Sequence, residues 1–437
     1  MSQSPRWIAT ARLLRRTGFG TTGPQVDALV HQDTSTYLDQ ALNREPDSDP
    51  GAIATPMPSP ITPPIPAQGA RAAEIEAFSQ SLLTQMRDLD AWWLRRMAAV
   101  EQPIHEKLTL LWHNHFATSA EKVAAAELMA AQNRKLRALK LGDFRTLAYA
   151  MLTDAAMQLW LDGVRNTKEA PNENLSREFM ELFTLGHGSG YTEADVKEGA
   201  RALTGRFIGR AAQTAIAAEH HDTTTKTVLG ITGNLDDGDF CDIVLGHPTS
   251  APFVAGKLWR LLASDTAPSS ATLDRLVAAY GPGRNLKALT KAVLVDPEFA
   301  AGVGTVVNTP VEWLMGAIRT LSVPVGDAQT VAELDVVLTV MGQRPFYPPD
   351  VGGWPRGAAW LSTTSTAARI WAANRFVPMG NLAAIEDTAV TDRIDATGYL
   401  IGVGSWSDHT VTALKPHTAD PRRLVATALN TPEYLTS

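Results

Sequence analysis

The sequence predicts a mostly α-helical protein, a large multi-helix domain with a minor β excursion near residues 206–233. Most segments place apolar residues three and four positions apart, which is the spacing of an amphipathic helix. Glycine, proline or a capping side chain stands at the ends of these segments, as at helix boundaries. With 437 residues, 44% of them hydrophobic, the chain is also long and apolar enough to bury a core.

The N-terminal region is divided by a proline-rich stretch. Three helices are predicted before it: residues 5–17, which end at Gly18, a helix opened by Pro24, and residues 34–42. Eight prolines between residues 46 and 66 deny this stretch a regular helix and predict an exposed linker. We expect N-terminal helices and a main helical domain to pack as one compact unit. The predicted boundaries are 1–45 for these helices, 46–69 for the Pro-rich linker and 70–437 for the main domain.

The main domain is predicted to be a succession of helices with one interruption. Thr192, followed three residues later by Asp195, is typical of a helix N-cap. Residues 223–229 are rich in β-branched side chains and are bounded by Gly230 and Gly233, which favours a small hairpin. The predicted helices cover residues 70–100, 104–116, 121–140, 143–153, 171–185, 192–203, 237–246, 250–263, 271–280, 285–295, 310–321, 330–341, 363–376 and 421–430.

Composition excludes several classes of protein. The 39 basic and 46 acidic residues give a net charge of −7, so no diffuse positive field attracts nucleic acid, and we expect no nucleic-acid partner. The single cysteine, Cys241, excludes an internal disulfide and a cysteine-rich metal site. No apolar run is long enough to predict a membrane span. Residues 18–23 are glycine-rich but lack the Lys-Ser/Thr of a phosphate-binding loop, so no nucleotide cofactor is expected.

The first segment with candidate chemistry is Trp112-His113-Asn114-His115. On a helix, His115 shares a face with Trp112, whereas His113 lies roughly 200° away. Two histidines at i and i+2 can bind one ion only if the helix ends or distorts near Asn114. The alternative is a core histidine bonded to a backbone carbonyl together with a surface histidine.

The second candidate segment is the run PNENLSREFMELF at residues 171–183. Asn174, Glu178 and Glu181 fall on one stripe of a helix there. Two carboxylates at i and i+3 repel each other unless a cation or a proton lies between them, as in a metal site or an acid–base pair. The alternative is an exposed face on which Arg177 pairs with Glu181 at i+4.

Three further segments combine polar or aromatic residues. His221 and Asp222, in the non-helical stretch, offer an imidazole and a carboxylate, and a solvated polar turn fits them equally well. Residues 234–239 lack the spacing of a calcium loop, so we interpret their acids as a helix cap. Trp354 lies in a turn rich in proline and glycine, where an exposed indole would stack on a sugar and a buried one would anchor the core. We favour the buried role.

Several distinct motifs are spread along the chain. They are Arg12–Gly20, Glu106–Ser119, Gln132–Asn133, Ala170–Asn174, Arg177–Gly186, Tyr191–Thr192, Ala202–Gly205, His221–Asp222, Lys226–Thr227 and Gly352–Pro355. In these motifs the sequence resembles a bacterial family catalogued as domain of unknown function 1800. The resemblance implies a mostly helical fold without an established reaction, and a sulfatase-like or alkaline-phosphatase-like partner protein. It also implies that relatives are often exported. Because the first twenty residues here lack a signal-peptide pattern, we expect a cytoplasmic protein.

Our leading hypothesis is an enzyme, a metal-dependent hydrolase or oxidase, whose site lies between helices. A divalent iron, manganese or zinc ion would suit mixed imidazole and carboxylate ligands. The predicted ligands are His113, His115, Glu178, Glu181 and His221, and the predicted catalytic residues among them are His115, Glu178 and Glu181. Substrate or supporting contacts are assigned to Asn114, Asn174, Asp222, Arg177 and Trp354.

Two alternatives stay open at this point. One is a metal-free hydrolase or transferase in which Glu178 and Glu181 form an acid–base pair with His115. The other is a non-catalytic helical partner of the sulfatase-like protein, in which the polar motifs are buried hydrogen-bond networks.

Overall fold

Helices dominate the computed structural model, which describes residues 2–302 and 306–436. Met1, residues 303–305 and Ser437, which the predicted domains include, lie outside the described residues. The helices of the first half are α1 (Pro5–Arg16), α2 (Gly23–Leu29), α3 (Thr34–Asn43), α4 (Pro50–Ala54), α5 (Ala72–Ala99), α6 (Ile104–His115), α7 (Ala120–Val123), α8 (Ala126–Leu139), α9 (Phe144–Leu152), α10 (Ala155–Trp160), α11 (Asn174–Glu178) and α12 (Glu193–Ala202). A π-helical segment, Phe179–Thr184, continues α11.

The second half is equally helical. Its helices are α13 (Asp237–Gly246), α14 (Ser250–Leu262), α15 (Ser270–Tyr280), α16 (Leu286–Val295), α17 (Pro297–Ala300), α18 (Pro310–Thr320), α19 (Ala328–Met341), α20 (Thr363–Phe376), α21 (Ala383–Glu386), α22 (Arg393–Leu400), α23 (Asp408–Leu414), α24 (Pro421–Ala428) and α25 (Pro432–Leu435). Short 3-10 turns lie at Pro46–Ser48, Gly163–Arg165, Arg210–Ala212, Ala218–His220, Gly357–Leu361, Val377–Met379 and Lys415–His417. The predicted mostly α fold is confirmed.

Strands are confined to the predicted β excursion within the part of the chain that the structure describes. β1 (Arg206–Ile208) pairs antiparallel with β2 (Thr214–Ile216), and β3 (Lys226–Val228) with β4 (Ile231–Gly233). The β3–β4 turn consists of Leu229 and Gly230, whose φ angles of 48° and 81° are those of a tight hairpin turn. The hairpin predicted from the β-branched run is therefore confirmed.

The proline-rich linker differs from its prediction in one respect, because it contains the short helix α4. Pro50 stands in the first turn, where its missing N–H costs no hydrogen bond, and the Asp49 carboxylate accepts from the backbone N–H of Gly51 at 2.9 Å. Residues 56–66 have neither helix nor strand. The backbone N–H of Thr62 donates to the Glu127 carboxylate at 2.9 Å, which ties this stretch to α8.

Two large hydrophobic cores hold the helices together. The first core contains side chains of α5, α18, α19, α20 and α24, and the second contains side chains of α3, α9, α13, α14, α16 and the π-helical segment. Helix α6 contributes Leu110 to the first core and Leu108, Leu111 and Trp112 to the second. It therefore lies between them. Across residues 2–302 and 306–436, no helix combines the length and the apolarity needed to cross a lipid bilayer.

Candidate functional site

The two motif histidines of α6 face different cores. His113 packs edge-on against Trp93 and Trp354, with ring centroids 5.6 and 5.5 Å apart. His115 packs against Phe116 in the second core, with ring centroids 4.4 Å apart. Both imidazoles are buried. The two histidines thus lie on different faces of α6, as helical geometry predicted. The alternative of one surface histidine is wrong, because residues far along the chain pack over His113.

His113 holds the chain around Phe346 in place. The backbone N–H of Phe346 donates to Nε2 of His113 at 3.1 Å. Because Nε2 accepts, the ring proton of the neutral imidazole belongs on Nδ1. Burial lowers the pKa of His113 to about 3, so the ring is neutral at physiological pH.

The neighbouring Asn114 fixes the glycine-rich turn that carries Trp354. Its Oδ1 accepts from the backbone N–H of Trp354 at 2.8 Å. Gly353 packs so closely that a Cβ there would lie 2.3 Å from the same Oδ1, and its φ of 88° favours glycine. The Trp354 indole is buried, as the sequence favoured. Asn114 and Trp354 therefore join α6 to a turn about 240 residues away.

His115 reaches in the other direction, to the π-helical segment. Its Nε2 donates to the carbonyl of Phe183 at 3.0 Å. Burial, with a smaller contribution from the charge of Lys257, lowers the pKa of His115 well below its usual value. Lys257 donates to the adjacent carbonyl of Leu182 at 3.0 Å. Side chains of α6 and α14 thus satisfy terminal carbonyls that a helix leaves without an internal partner.

The π-helical segment has the hydrogen bonds of a wide turn. The backbone N–H of Leu185 donates to the carbonyl of Met180, five residues back, at 2.8 Å. The Thr184 hydroxyl donates to the carbonyl of Phe179, also five residues back, at 2.5 Å. Phe179 and Phe183 are buried in the second core. Single π turns inside helices are frequent at functional sites.

The predicted carboxylate pair lies where α11 meets this segment, with Glu178 at the end of α11 and Glu181 in the π turn, and it remains accessible. Burial, and secondarily the charge of Glu181, raise the pKa of Glu178. Glu181 accepts from the phenol of Tyr191 at 3.1 Å and contacts Nδ1 of His187. Glu178 and Glu181 are half-buried, and His187 is exposed. The structure therefore brings together two of the predicted catalytic residues, with environments that differ.

Tyr191 and His187 were not identified as site residues from the sequence. His187 lies in the run Gly186-His-Gly-Ser-Gly190, which resembles an ordinary flexible loop, and Tyr191 precedes the Thr192 cap. The only sequence signal that could have identified them as site residues is their position shortly after the Glu178–Glu181 motif. The contacts form because this loop folds back over the π-helical segment.

Arg177 does not pair with Glu181, contrary to the alternative predicted from helical spacing. It pairs instead with Glu173 at 3.0 Å and with Glu193 at 2.7 Å. The physical reason is the change from α to π geometry after Glu178, which removes Glu181 from the position one α-helical turn beyond Arg177. Asn174 begins α11, and its backbone N–H donates to the side chain of Asn172 at 3.0 Å.

His221 and Asp222 are hydrogen-bonded to the loop after α12. Nδ1 of His221 donates to the carbonyl of Thr204 at 2.9 Å, and the backbone N–H of Asp222 donates to the Thr204 hydroxyl at 2.8 Å. The Asp222 carboxylate accepts from Nε of Arg201 at 2.7 Å. Burial opposes ionisation of Asp222, but hydrogen bonds from Arg201 and Thr224 outweigh it and lower its pKa. The acids of residues 234–239 act as the predicted cap, with Asp236 accepting from the backbone N–H of Asp239 at 2.9 Å.

Of the five predicted metal ligands, four are hydrogen-bonded to different parts of the fold, namely His113, His115, Glu181 and His221. Nε2 of His113 and of His115 each bond to the backbone, and His221 bonds to the loop after α12. Among the described residues, no three His, Cys, Asp or Glu side chains are grouped so that they could hold a metal ion. Glu178 and Glu181 are the two predicted ligands whose charges influence one another. The metal itself stays a prediction.

Two sizeable cavities lie elsewhere in the molecule. One, of about 710 Å³, lies among α1, α2, α18 and the end of α5. The other, of about 780 Å³, lies between the proline-rich linker and α8. Neither is lined by a residue predicted to form the site.

Together these observations define a mostly helical protein of two cores, in which the histidine and asparagine motifs are hydrogen-bonded into the fold and a carboxylate pair stays accessible. The family described as "Protein of unknown function (DUF1800)" has a sequence model that matches residues 12–436. The chain therefore belongs to this family, and the resemblance seen in its motifs is confirmed. No curated protein and no solved structure matches the chain.

Proposed function

We propose that the chain is an acid–base enzyme, a hydrolase or transferase, whose reacting groups are Glu178 and Glu181. The observation that carries this proposal is the difference between the two carboxyl groups. Burial raises the pKa of Glu178, while Glu181 accepts a hydrogen bond from Tyr191. Paired groups with different environments are what proton transfer in two directions requires. We favour this chemistry over the metal hypothesis because His113 and His115 pack into different cores, so their rings do not face a common ion.

The roles follow from the two environments. Glu178 holds its proton to higher pH than an ordinary glutamate, so it is the proton donor to a leaving oxygen. Glu181, oriented by Tyr191 and His187, is the base that takes a proton from the attacking water or hydroxyl. One proton enters at Glu181 and one leaves from Glu178, so the pair must exchange a proton with solvent to complete a turnover.

His115 has a positioning role in this proposal. Its ring is buried and neutral, so it does not exchange protons with substrate. Its hydrogen bond to the carbonyl of Phe183 holds the π-helical segment, which carries Glu181 and directly follows Glu178. Catalytic side chains supported by a rigid, hydrogen-bonded backbone keep the geometry that proton transfer requires.

The test is turnover of nitrophenyl esters, phosphates and glycosides by the full chain, with and without EDTA. We expect hydrolysis of one class to survive EDTA and to fall at least a hundredfold in Glu178→Gln and in Glu181→Gln. Glu193→Gln is the matched control, because Glu193 is an exposed glutamate of the same region that pairs with Arg177.

Three outcomes would contradict the proposal. The first is full activity in both glutamine variants, and the second is activity that EDTA abolishes and that a divalent metal restores. The third is absence of turnover for all three substrate classes. The second outcome would favour the metal-dependent enzyme over the metal-free one.

A further inference from the structure

The 780 Å³ cavity beside the proline-rich linker has a built, polar interior of a size that small ligands occupy. The linker and 3-10 turn close it on one side, and α5, α8 and the chain after α8 close it on the other. None of its lining residues belongs to the carboxylate pair, so it is a separate site. The cationic side chains that line it are Arg44, Arg96, Arg134, Arg137, Lys140 and Lys287.

Its lining is cationic in a protein whose net charge is −7. Six cationic side chains line it, against the carboxylates of Glu45 and Asp47. Asp47 pairs with Arg96 at 2.7 Å. Beneath the floor, the buried Glu106 carboxylate accepts from Arg96 at 2.9 Å and from Nη2 of Arg137 at 2.6 Å. Arg44 lies 3.8 Å from the Glu101 carboxylate. Three of the six cations therefore have a carboxylate partner within the protein.

The other three cations form no salt bridge with a carboxylate among the described residues. Lys287 donates to the amide oxygen of Asn43 at 2.8 Å, Arg134 contacts only the sulfur of Met57, and Lys140 donates to the carbonyl of Arg137. Burial, and secondarily the charge of Arg137, lower the pKa of Lys140 to about 8, because they outweigh the opposing charges of Glu106, Asp47 and Glu45. A bound anion would relieve this repulsion, because an opposite charge favours the ammonium form.

One wall of the cavity is apolar. Trp92 forms part of it, and the guanidinium of Arg137 lies 5.1 Å from the centroid of its ring. Ile53, on α4, lines the same cavity and is 66% exposed. Met57 is only partly covered. Trp92 is buried, so Ile53 and Met57 provide the exposed part of this wall. An exposed apolar surface beside unpaired cations suits an organic molecule that carries one anionic group.

We infer that this cavity binds a small organic ester of phosphate or sulfate. The oxyanion would bond to Arg134, Lys140 and Lys287, and the organic part would lie against Ile53 and Met57. Arginine and lysine are the side chains that recognise such oxyanions, and charge-assisted hydrogen bonds are the stronger kind.

The test is calorimetric titration of the full chain with phenyl phosphate and with phenyl sulfate at constant ionic strength. We expect saturable binding of at least one ester at one site per chain, tighter than that of inorganic phosphate, with no binding of phenol. The double variant Arg134→Ala/Lys287→Ala should raise Kd at least tenfold. Both residues are partly exposed, so their removal leaves the fold intact.

Lys197→Ala/Arg423→Ala is the matched control, because it removes the same charge from exposed sites outside the cavity. We expect this control to change Kd less than twofold. An equal loss in both double variants would show a diffuse charge effect and overturn the inference. Absence of saturable binding for both esters would also overturn it. The ester that binds more tightly identifies the ligand class. The binding measurements do not depend on activity at Glu178 and Glu181.

Discussion

The buried Glu106 carboxylate is the shared counter-charge of Arg96 and Arg137. It accepts from Trp93 at 2.9 Å, from Arg96 at 2.9 Å and from Arg137 at 2.6 Å. Burial opposes its ionisation, but the charges and hydrogen bonds of Arg137 and Arg96 outweigh burial and lower its pKa to about 2. Glu106→Gln should therefore destabilise the protein strongly, because it removes the counter-charge that Arg96 and Arg137 share and leaves Arg137 without a carboxylate partner among the described residues.

The magnitude follows from this pKa. A decrease from the ordinary 4.5 to about 2 corresponds to about 3 kcal/mol of stabilisation at neutral pH. Removing one partner of a buried ion pair costs about 3–5 kcal/mol in other proteins, which is consistent. With an unfolding entropy of about 2.1 cal/mol/K per residue, a loss of about 3 kcal/mol lowers Tm by about 3 °C.

Urea unfolding followed by circular dichroism at pH 7, together with thermal unfolding, measures this loss. The matched control is Glu101→Gln, since Glu101 is exposed and lies 3.8 Å from Arg44, and it should change stability by less than about 0.5 kcal/mol. The stabilisation by Glu106 is complete above pH 4.5 and is lost as pH falls towards 2. A loss below about 1 kcal/mol at pH 7, or equal losses in both variants, would refute the reasoning.

Two further predictions concern α6 and its contacts. Gly353→Ala should cost at least about 2 kcal/mol, because its Cβ would lie 2.3 Å from Asn114, whereas Gly69→Ala, at a similar φ but with no atom within 4 Å, should cost about 1 kcal/mol. Equal losses in urea unfolding would contradict this steric argument. Burial keeps His113 and His115 neutral in the fold, while the unfolded chain protonates them below about pH 6.5. Stability should therefore fall as pH drops from about 6.5 to 5, by about 1.4 kcal/mol per pH unit for each ring, and a flat stability profile would refute it.

Features that depend on a few neighbouring residues could be predicted from the sequence. The Thr192–Asp195 and Asp236–Asp239 caps form as predicted, because a capping side chain reaches backbone N–H groups only three residues away. The hairpin at Gly230 forms because its turn geometry is local. Helical geometry alone places His113 and His115 on different faces.

The arrangement of the candidate site depends on contacts between distant segments, which a local sequence pattern does not predict. His113 is buried because Phe346 and Trp354, more than 230 residues later, pack over it. The π turn changes which residues Glu181 faces, and its spacing differs from the 3.6-residue period that a sequence pattern assumes. The partners of Glu181 come from a loop that resembles an ordinary flexible turn.

By itself, the sequence determined the mostly helical fold, its caps and hairpin, and membership of the family. These follow from periodicity, short-range hydrogen bonding and long motifs. Tertiary structure alone decided that the His-Asn-His motif joins two cores, that Glu178 and Glu181 have different environments, and that unpaired cations line a cavity. The physical reason is that burial and charge pairing depend on which distant segments pack together, whereas helix formation depends mainly on near neighbours.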